Sequence, residues 1–327
     1  MVKNKNKKIN PEVSICTPTF NRRPFYNMII KCFLSQTYPI NKMEWIIIDD
    51  GTDKIEDLVK HIPQVKYFKY DTRMSLGKKR NLMHEKALGQ YIIYMDDDDY
   101  YPPERVQHAV DTLKNNPSYM IAGSSEMYIY FKHINKMYQF GPYGQNHATA
   151  ATFAFRRELL TQTSFEDNAA LAEEKHFLKN YTIPMIQLDS LKTILVFSHI
   201  HNTFDKKELL NQQENQFMKI SDKTIDHFIQ DQSIKDFFMK DIDNILSNYD
   251  FGKVENKPEV LNQIKEITYK KNQLIQQQLI QNVQQINIIN KQVEKIIIEH
   301  KQLINILMKD NIELKNRICV LENNLKL

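Results

Sequence analysis

The chain has 327 residues, with 44 Lys and Arg against 40 Asp and Glu, a formal charge of +4. That balance excludes the strongly basic surface of a nucleic-acid-binding domain, and 42% hydrophobic with 26% charged residues excludes wholesale disorder. Only 7 glycines occur, which excludes collagen-like and linker-rich chains and makes each glycine worth locating.

Residues 1–11 are polar and basic with no apolar run behind them, and are expected to be a disordered tail rather than a secretory signal. The three cysteines, Cys16, Cys32 and Cys319, lack disulfide-framework and zinc-site spacing, which fits a reducing compartment. No window reaches the run of about 18 apolar residues that a membrane span requires. The expected location is the cytoplasm, or the host cytoplasm for a viral chain.

From residue 12 to 205 short apolar runs alternate with amphipathic ones. Val13–Cys16, Trp45–Ile48, Val65–Tyr70 and Tyr91–Met95 read as strands; Pro24–Gln36, Ile55–His61, Lys78–Leu88 and Pro103–Asn115 read as helices. This alternation predicts an α/β domain with a mostly parallel, Rossmann-like sheet flanked by helices. Ligands of such sheets bind beyond the carboxyl ends of the strands. Those ends read Thr17-Pro18-Thr19-Phe20-Asn21, Asp49-Asp50-Gly51-Thr52 and Asp96-Asp97-Asp98-Asp99.

Residues 206–258 read as a helical extension, with Phe217, Ile220, Ile225, Phe228, Ile229, Phe237, Phe238, Ile242 and Leu246 at helical spacing. From 259 to 327 a heptad frame predicts a coiled-coil oligomerisation segment. Its d positions are Leu279, Ile286, Val293, His300, Leu307, Leu314 and Leu321; its a positions are Val283, Asn290, Ile297, Ile304, Asn311, Ile318 and Leu325. Asn290 and Asn311 favour an in-register parallel dimer, as do the facing charges Asp310 with Lys315 and Arg317 with Glu322. Apolar Ile289, Ile296 and Leu303 at g widen the seam and leave open a trimer, or a helix folded back on its own domain.

Four adjacent carboxylates repel one another unless a cation screens them. Asp96–Asp99 therefore read either as a site for Mg²⁺ or Mn²⁺ shared with phosphates or as a solvated acidic loop. Asp49-Asp50 reads either as a base- or ribose-binding pair or as helix capping. In Gly77-Lys78-Lys79-Arg80-Asn81, Arg80 or a neighbouring lysine can meet phosphate charge at a helix start.

Taken in order, these four segments resemble family 2 glycosyltransferases of the GT-A fold, over roughly residues 12–205. The resemblance implies an inverting, nucleotide-sugar-dependent transferase that uses Mn²⁺ or Mg²⁺. It implies a nucleotide pocket at Thr17, Pro18, Thr19 and Asn21, a uracil-binding carboxylate at Asp50 and a basic residue at Arg80. Asp96 and Asp98 match the family's Asp-x-Asp, with Asp98 as metal ligand and the extra acid Asp97 beside the nucleotide. Leu171-Ala-Glu-Glu-Lys-His-Phe177 resembles the segment carrying the catalytic base. Glu174 takes the base position with a Glu in place of the usual Asp; a solvated helical glutamate is the plainer reading. Phe197-Ser-His-Ile-His-Asn-Thr203 resembles a later His-bearing element, so His199 or His201 is expected near the metal, the two pointing the same way if they share a strand. His147–Arg157 resembles the acceptor-side strand. The expected partners are a nucleotide-sugar donor, probed first as a UDP-sugar, a glycan, lipid or protein acceptor, and further copies of the chain. The competing readings are a coiled-coil scaffold with a vestigial nucleotide-binding domain, and a nucleotidyltransferase, which would normally carry a Gly-rich loop where Thr17–Arg23 has none.

Overall fold

The computed structural model describes residues 11–211 and 215–324. Residues 1–10 of the expected basic tail and core position Leu325 of the expected coiled coil lie outside the described residues.

The chain opens with β1 (Val13–Thr19), α1 (Arg23–Leu34), β2 (Met43–Asp49), α2 (Glu56–Val59), β3 (Val65–Lys69), α3 (Leu76–Lys86) and β4 (Tyr91–Tyr94). It continues through α4 (Arg105–Asn115), β5 (Ile121–Gly123), β6 (Met127–Phe131), β7 (Lys136–Phe140) and β8 (Ala154–Arg156). Then follow α5 (Glu174–Phe177), β9 (Met185–Gln187), β10 (Leu195–Ser198), β11 (Met218–Ile220), α6 (Gln232–Asp236), α7 (Ile242–Ser247) and α8 (Pro258–Asn324). The four expected strands and the four helices between and after them form where the pattern placed them.

The main sheet has seven strands in the order β3-β2-β1-β4-β8-β5-β9. β1 runs parallel to both β2 and β4, and only β8 runs antiparallel to its neighbours. The chain winds outward from β1 to β3, then returns to lay β4 on the other side of β1. That reversal opens a crevice at the carboxyl ends of β1 and β4, where α/β sheets bind ligands. Both faces of the central strands are covered, which is why they read as unbroken apolar runs. Ile15, Trp45, Ile47 and Ile93 enter one core cluster; Cys16, Ile46, Ile48 and Ile92 enter the other.

A second sheet, β10-β6-β7-β11, packs on the first cluster. The sequence pattern did not separate its strands, nor the three-residue β5, β8 and β9, because runs so short show no periodicity. The segment expected to be wholly helical contains, among its described residues, β11 and two 3₁₀ segments (Lys206–Asn211 and Ile225–His227) before α6, which passes through one wider turn (Phe237–Asp241) into α7. Ile225, Phe228, Ile229, Phe237, Phe238, Ile242 and Leu246 are buried as the spacing predicted; Ile220 instead lies 60% exposed on β11.

The chain divides into two compact units, up to Gln263 and from Ile264 onward. α8 is continuous for 67 residues, a length of about 100 Å. Its apolar heptad positions from Leu279 to Leu321 are each 47–61% exposed. No described helix is long and apolar enough to cross a membrane.

Candidate active site

A cavity of about 120 Å³ lies at the carboxyl ends of β1 and β4, lined by Pro18, Phe20, Arg22, Lys79 and the acidic run Asp96, Asp97 and Asp98. Thr17 ties its floor together: its hydroxyl donates to the Met95 carbonyl at 2.6 Å and accepts from Trp45 Nε1 at 2.8 Å. β1 is thereby tied to Trp45 within β2 on one side and to the residue just after β4 on the other. Thr17 thus acts inside the sheet; Pro18 is the member of the expected nucleotide wall that faces the cavity.

The loop after β1 is set by Asn21, which adopts φ +52°. Its Oδ1 accepts from the Asp53 amide at 2.8 Å and its Nδ2 donates to the Phe251 carbonyl at 3.0 Å. Gly51 lies against this loop so closely that an added Cβ would sit 2.6 Å from the Asn21 amide nitrogen. Asp49 is the capping member of the acidic pair, accepting from the Gly51 amide at 2.8 Å, the Ile55 amide at 3.2 Å and the Tyr67 hydroxyl at 2.6 Å. Asp50 is buried. It accepts from the Met74 amide at 2.6 Å and from Lys79 Nζ at 2.9 Å. Asp50 therefore stands behind Lys79, and Lys79 reaches the cavity.

The four aspartates differ because their neighbours differ. Arg22 lies 3.5 Å from Asp97 and 3.4 Å from Asp98, and Asp98 lies 3.4 Å from His199 Nε2. Burial disfavours every one of these charges. It pushes Asp97 up to about 7 despite Arg22, with Asp98 adding repulsion. At Asp98 the His199 hydrogen bond and the Arg22 charge overcome burial and hold the carboxyl well below the usual range. Asp96 is raised by burial against the pull of Arg80, and Asp99 is raised by burial and by Asp98.

Arg80 is fully buried and crosses to the other side of the site. Its Nε donates to Glu173 at 2.8 Å, its Nη1 lies 3.6 Å from Asp96, and its guanidinium sits 4.4 Å from the Tyr94 ring centroid. Glu174 is the first residue of α5, two positions after Ala172, which is held at φ +53°. Ala rarely adopts that left-handed conformation, and such strain concentrates at functional sites. Burial, then the neighbouring Glu173 charge, raises Glu174 to about 7.

The two histidines do not share a strand. β10 ends at Ser198, and residues 199–202 form a turn closed by the Asn202 amide donating to the His199 carbonyl at 3.1 Å. His199 faces Asp98. His201 is fully buried, both its ring nitrogens lack hydrogen-bond partners among the described residues, and Arg22 donates to its carbonyl at 2.7 Å. The expectation that they point the same way fails because the strand period ends before His199. Burial lowers both to about 4.

No three acidic, His or Cys side chains converge as a metal cluster among the described residues. A magnesium-like ion shared with substrate phosphates needs only one or two protein carboxylates. Asp96 Oδ1 and Asp97 Oδ2 are buried without hydrogen-bond partners among the described residues, and the run they belong to lines the cavity. Hard oxygen donors left unsatisfied there suit Mg²⁺ or Mn²⁺.

The family model for glycosyl transferase family 2 matches residues 14–170, the segment that carries β1, β2, β4 and the acidic run. Residues 14–170 belong to glycosyltransferase family 2. An uncharacterized glycosyltransferase of Haemophilus influenzae is 32% identical over 119 residues, covering 35% of this chain and 47% of that protein. The glucosyl-dolichyl phosphate glucuronosyltransferase of Haloferax volcanii is 26% identical over 117 residues, covering 35% of this chain and 37% of its own. The chain thus spans less than half the length of either relative. Among solved structures, S. aureus TarS 1–349 in complex with UDP-GlcNAc is similar at 18% identity and a TM-score of 0.47, over 57% of this chain and 58% of that one.

Sequence reasoning passed over Arg22, Arg73, Lys257 and Thr203, all of which line the cavity. Arg22 directly follows the expected nucleotide wall and had a positional signal. Thr203 ends the Phe197–Thr203 element and so had one too. Lys257 had none, because it comes from a segment outside the family motifs.

Proposed function

We propose that this family 2 domain is an inverting transferase moving a sugar from a nucleoside-diphosphate sugar to an acceptor hydroxyl. The observation that carries this reading is the convergence of Asp96, Asp97 and Asp98 with Arg22 and Lys79 on one cavity at the β1–β4 strand ends. Asp98, ionised and oriented by His199, is the proposed metal ligand, with Asp96 and Asp97 beside it. A bound Mg²⁺ or Mn²⁺ would offset the charge that builds on the departing diphosphate.

Glu174 is the proposed general base. A carboxyl near 7 holds its proton weakly enough to exchange it at neutral pH, which suits removal of the acceptor proton during attack. Glu173 is tied to Arg80 and fixes where Glu174 starts its helix. Arg80 and Arg22 spread the charge of the acidic run and hold its carboxylates in place. UDP is the first nucleotide to test, and a glycan, lipid or protein hydroxyl is the acceptor class.

The exposed apolar seam of α8 supports a further assignment: a parallel pairing with a second copy of this chain, in the register set by Asn290 and Asn311. A lone helix with such a face loses the burial that stabilises helices in water.

The test is donor turnover with Mn²⁺ against a panel of nucleotide sugars, for the parent and for Asp98→Ala and Glu174→Gln. Equal turnover in all three would reject the residue roles. Metal-dependent UDP binding by calorimetry separates a working site from a vestigial one.

A further inference from the structure

Four cationic side chains line the cavity: Arg22, Arg73, Lys79 and Lys257. Three have carboxylate partners. Lys79 pairs with Asp50 at 2.9 Å, Arg22 with Asp97 and Asp98, and Arg73 Nε with Glu259 at 2.9 Å. Lys257 has none within ion-pair reach among the described residues. It is 4% exposed, and its Nζ donates to the Thr203 hydroxyl at 2.8 Å. An ammonium carries three donors, and burying it without a counter-charge is costly. Burial and then the Arg22 charge push it well below the ordinary lysine range, against the pull of Asp97 and Asp98.

Lys257 comes from outside residues 14–170, on a strap bound to the loops that frame the cavity. Tyr249 donates to Asp53 at 2.8 Å, and Arg22 Nη1 donates to the Gly252 carbonyl at 3.2 Å. At the far end, Gln263 Oε1 accepts from the Ala170 and Leu171 amides at 2.7 and 2.9 Å. Gly252 permits the close fit: a Cβ there would lie 2.8 Å from the Asn21 carbonyl oxygen and 2.8 Å from His201 Nδ1. A segment beyond the family domain thus places in the cavity a lysine with no carboxylate partner among the described residues.

We propose that Lys257 is a diphosphate-binding residue of this site, and that the strap carrying it completes the donor pocket. The inference rests on the transferase reading above. In the transfer, the bond from the sugar anomeric carbon to the diphosphate oxygen breaks and its electron pair stays on the diphosphate. The acceptor oxygen bonds to that carbon, and the acceptor proton passes to Glu174. Lys257 moves no proton; its ammonium lies against the charge gained by the leaving group.

The test uses the full chain with Mg²⁺ and calorimetry of UDP, GDP, inorganic pyrophosphate and uridine. Lys257→Met is expected to weaken binding of the diphosphates by about tenfold or more, the scale of one lost charge-assisted hydrogen bond. Uridine binding stays unchanged, and Lys257→Arg restores diphosphate binding to within about threefold of the parent. A purely structural role would move uridine and diphosphates together, and that result overturns the proposal. So does Lys257→Met binding diphosphates as the parent does, which leaves the transferase reading standing. If the parent binds none of the diphosphates, both fall together.

Discussion

Arg80 Nε donates to the Glu173 carboxylate at 2.8 Å across 93 residues of sequence, and this bond divides two adjacent glutamates into unlike roles. Glu173 is committed to a buried guanidinium. Glu174 has no ion pair among the described residues and is raised to about 7 by burial and by Glu173. An unpaired carboxyl poised near neutrality suits a base; a paired one suits a brace.

The first prediction concerns pH. Transfer is expected to rise with pH through about 7 as Glu174 ionises. Glu174→Gln is expected to lower kcat by about 10²–10⁴ and to remove that acidic limb while leaving nucleotide affinity unchanged. A pH–rate profile that keeps the limb in the variant would exclude Glu174 as the base.

The same group makes a stability prediction of opposite sign. Its folded pKa of about 7 lies above the ordinary 4.5, so the fold favours the protonated form. That stabilisation is complete below about 4.5 and is lost as pH rises through about 7. Glu174→Gln should therefore raise stability at pH 8 by up to about 3 kcal/mol and leave it unchanged near pH 4. Urea unfolding at the two pH values measures this, and equal stability of parent and variant at pH 8 would contradict the burial cost.

Arg80→Met leaves Glu173 buried without its partner and Asp96 without its nearest cation. The expected loss is about 3–5 kcal/mol, the usual scale when one member of a buried pair is removed. Arg80→Lys recovers only part, because an ammonium cannot both donate to Glu173 and lie flat over the Tyr94 ring. Chemical denaturation of both variants is the measurement, and full recovery by lysine would show that charge alone matters.

Asp98→Asn separates metal from nucleotide. UDP affinity in EDTA should match that of the parent, and the gain on adding Mn²⁺ should disappear. Calorimetry in both buffers reads the difference. A variant with the parent's Mn²⁺ response would move the ligand role to Asp96 or Asp97, whose buried oxygens also lack partners.

Removal of residues 264–327 should leave the first unit monomeric, while the whole chain has twice its monomer mass by light scattering. Replacing Asn290 and Asn311 with Leu should strengthen association and broaden it beyond dimers, since polar a positions set register and number. An unchanged monomer mass for the whole chain would reject the pairing.

Much of the site was legible in order along the chain because each motif ends a strand. Apolar runs with acidic ends at Asp49-Asp50 and Asp96–Asp99 are local features, and local features survive in a one-dimensional reading. Asp50 shows the limit of that reading. Its motif named it, but its partners Lys79 and the Met74 amide arrive from α3 and the loop before it. His199 and His201 show the same limit, since the end of β10 at Ser198 decides which of them faces Asp98.

The sequence by itself determined the parallel α/β core, the acidic strand ends and the long glycine-free helix, because hydrophobic period and carboxylate clustering are properties of neighbouring residues. Only the tertiary structure decided which charges are paired. Arg22 with Asp97 and Asp98, Arg80 with Glu173, and the Lys257 ammonium with the Thr203 hydroxyl and no carboxylate among the described residues are set by loops and a strap that meet across as many as 230 positions. Burial then shifts each group according to the partners it finds there.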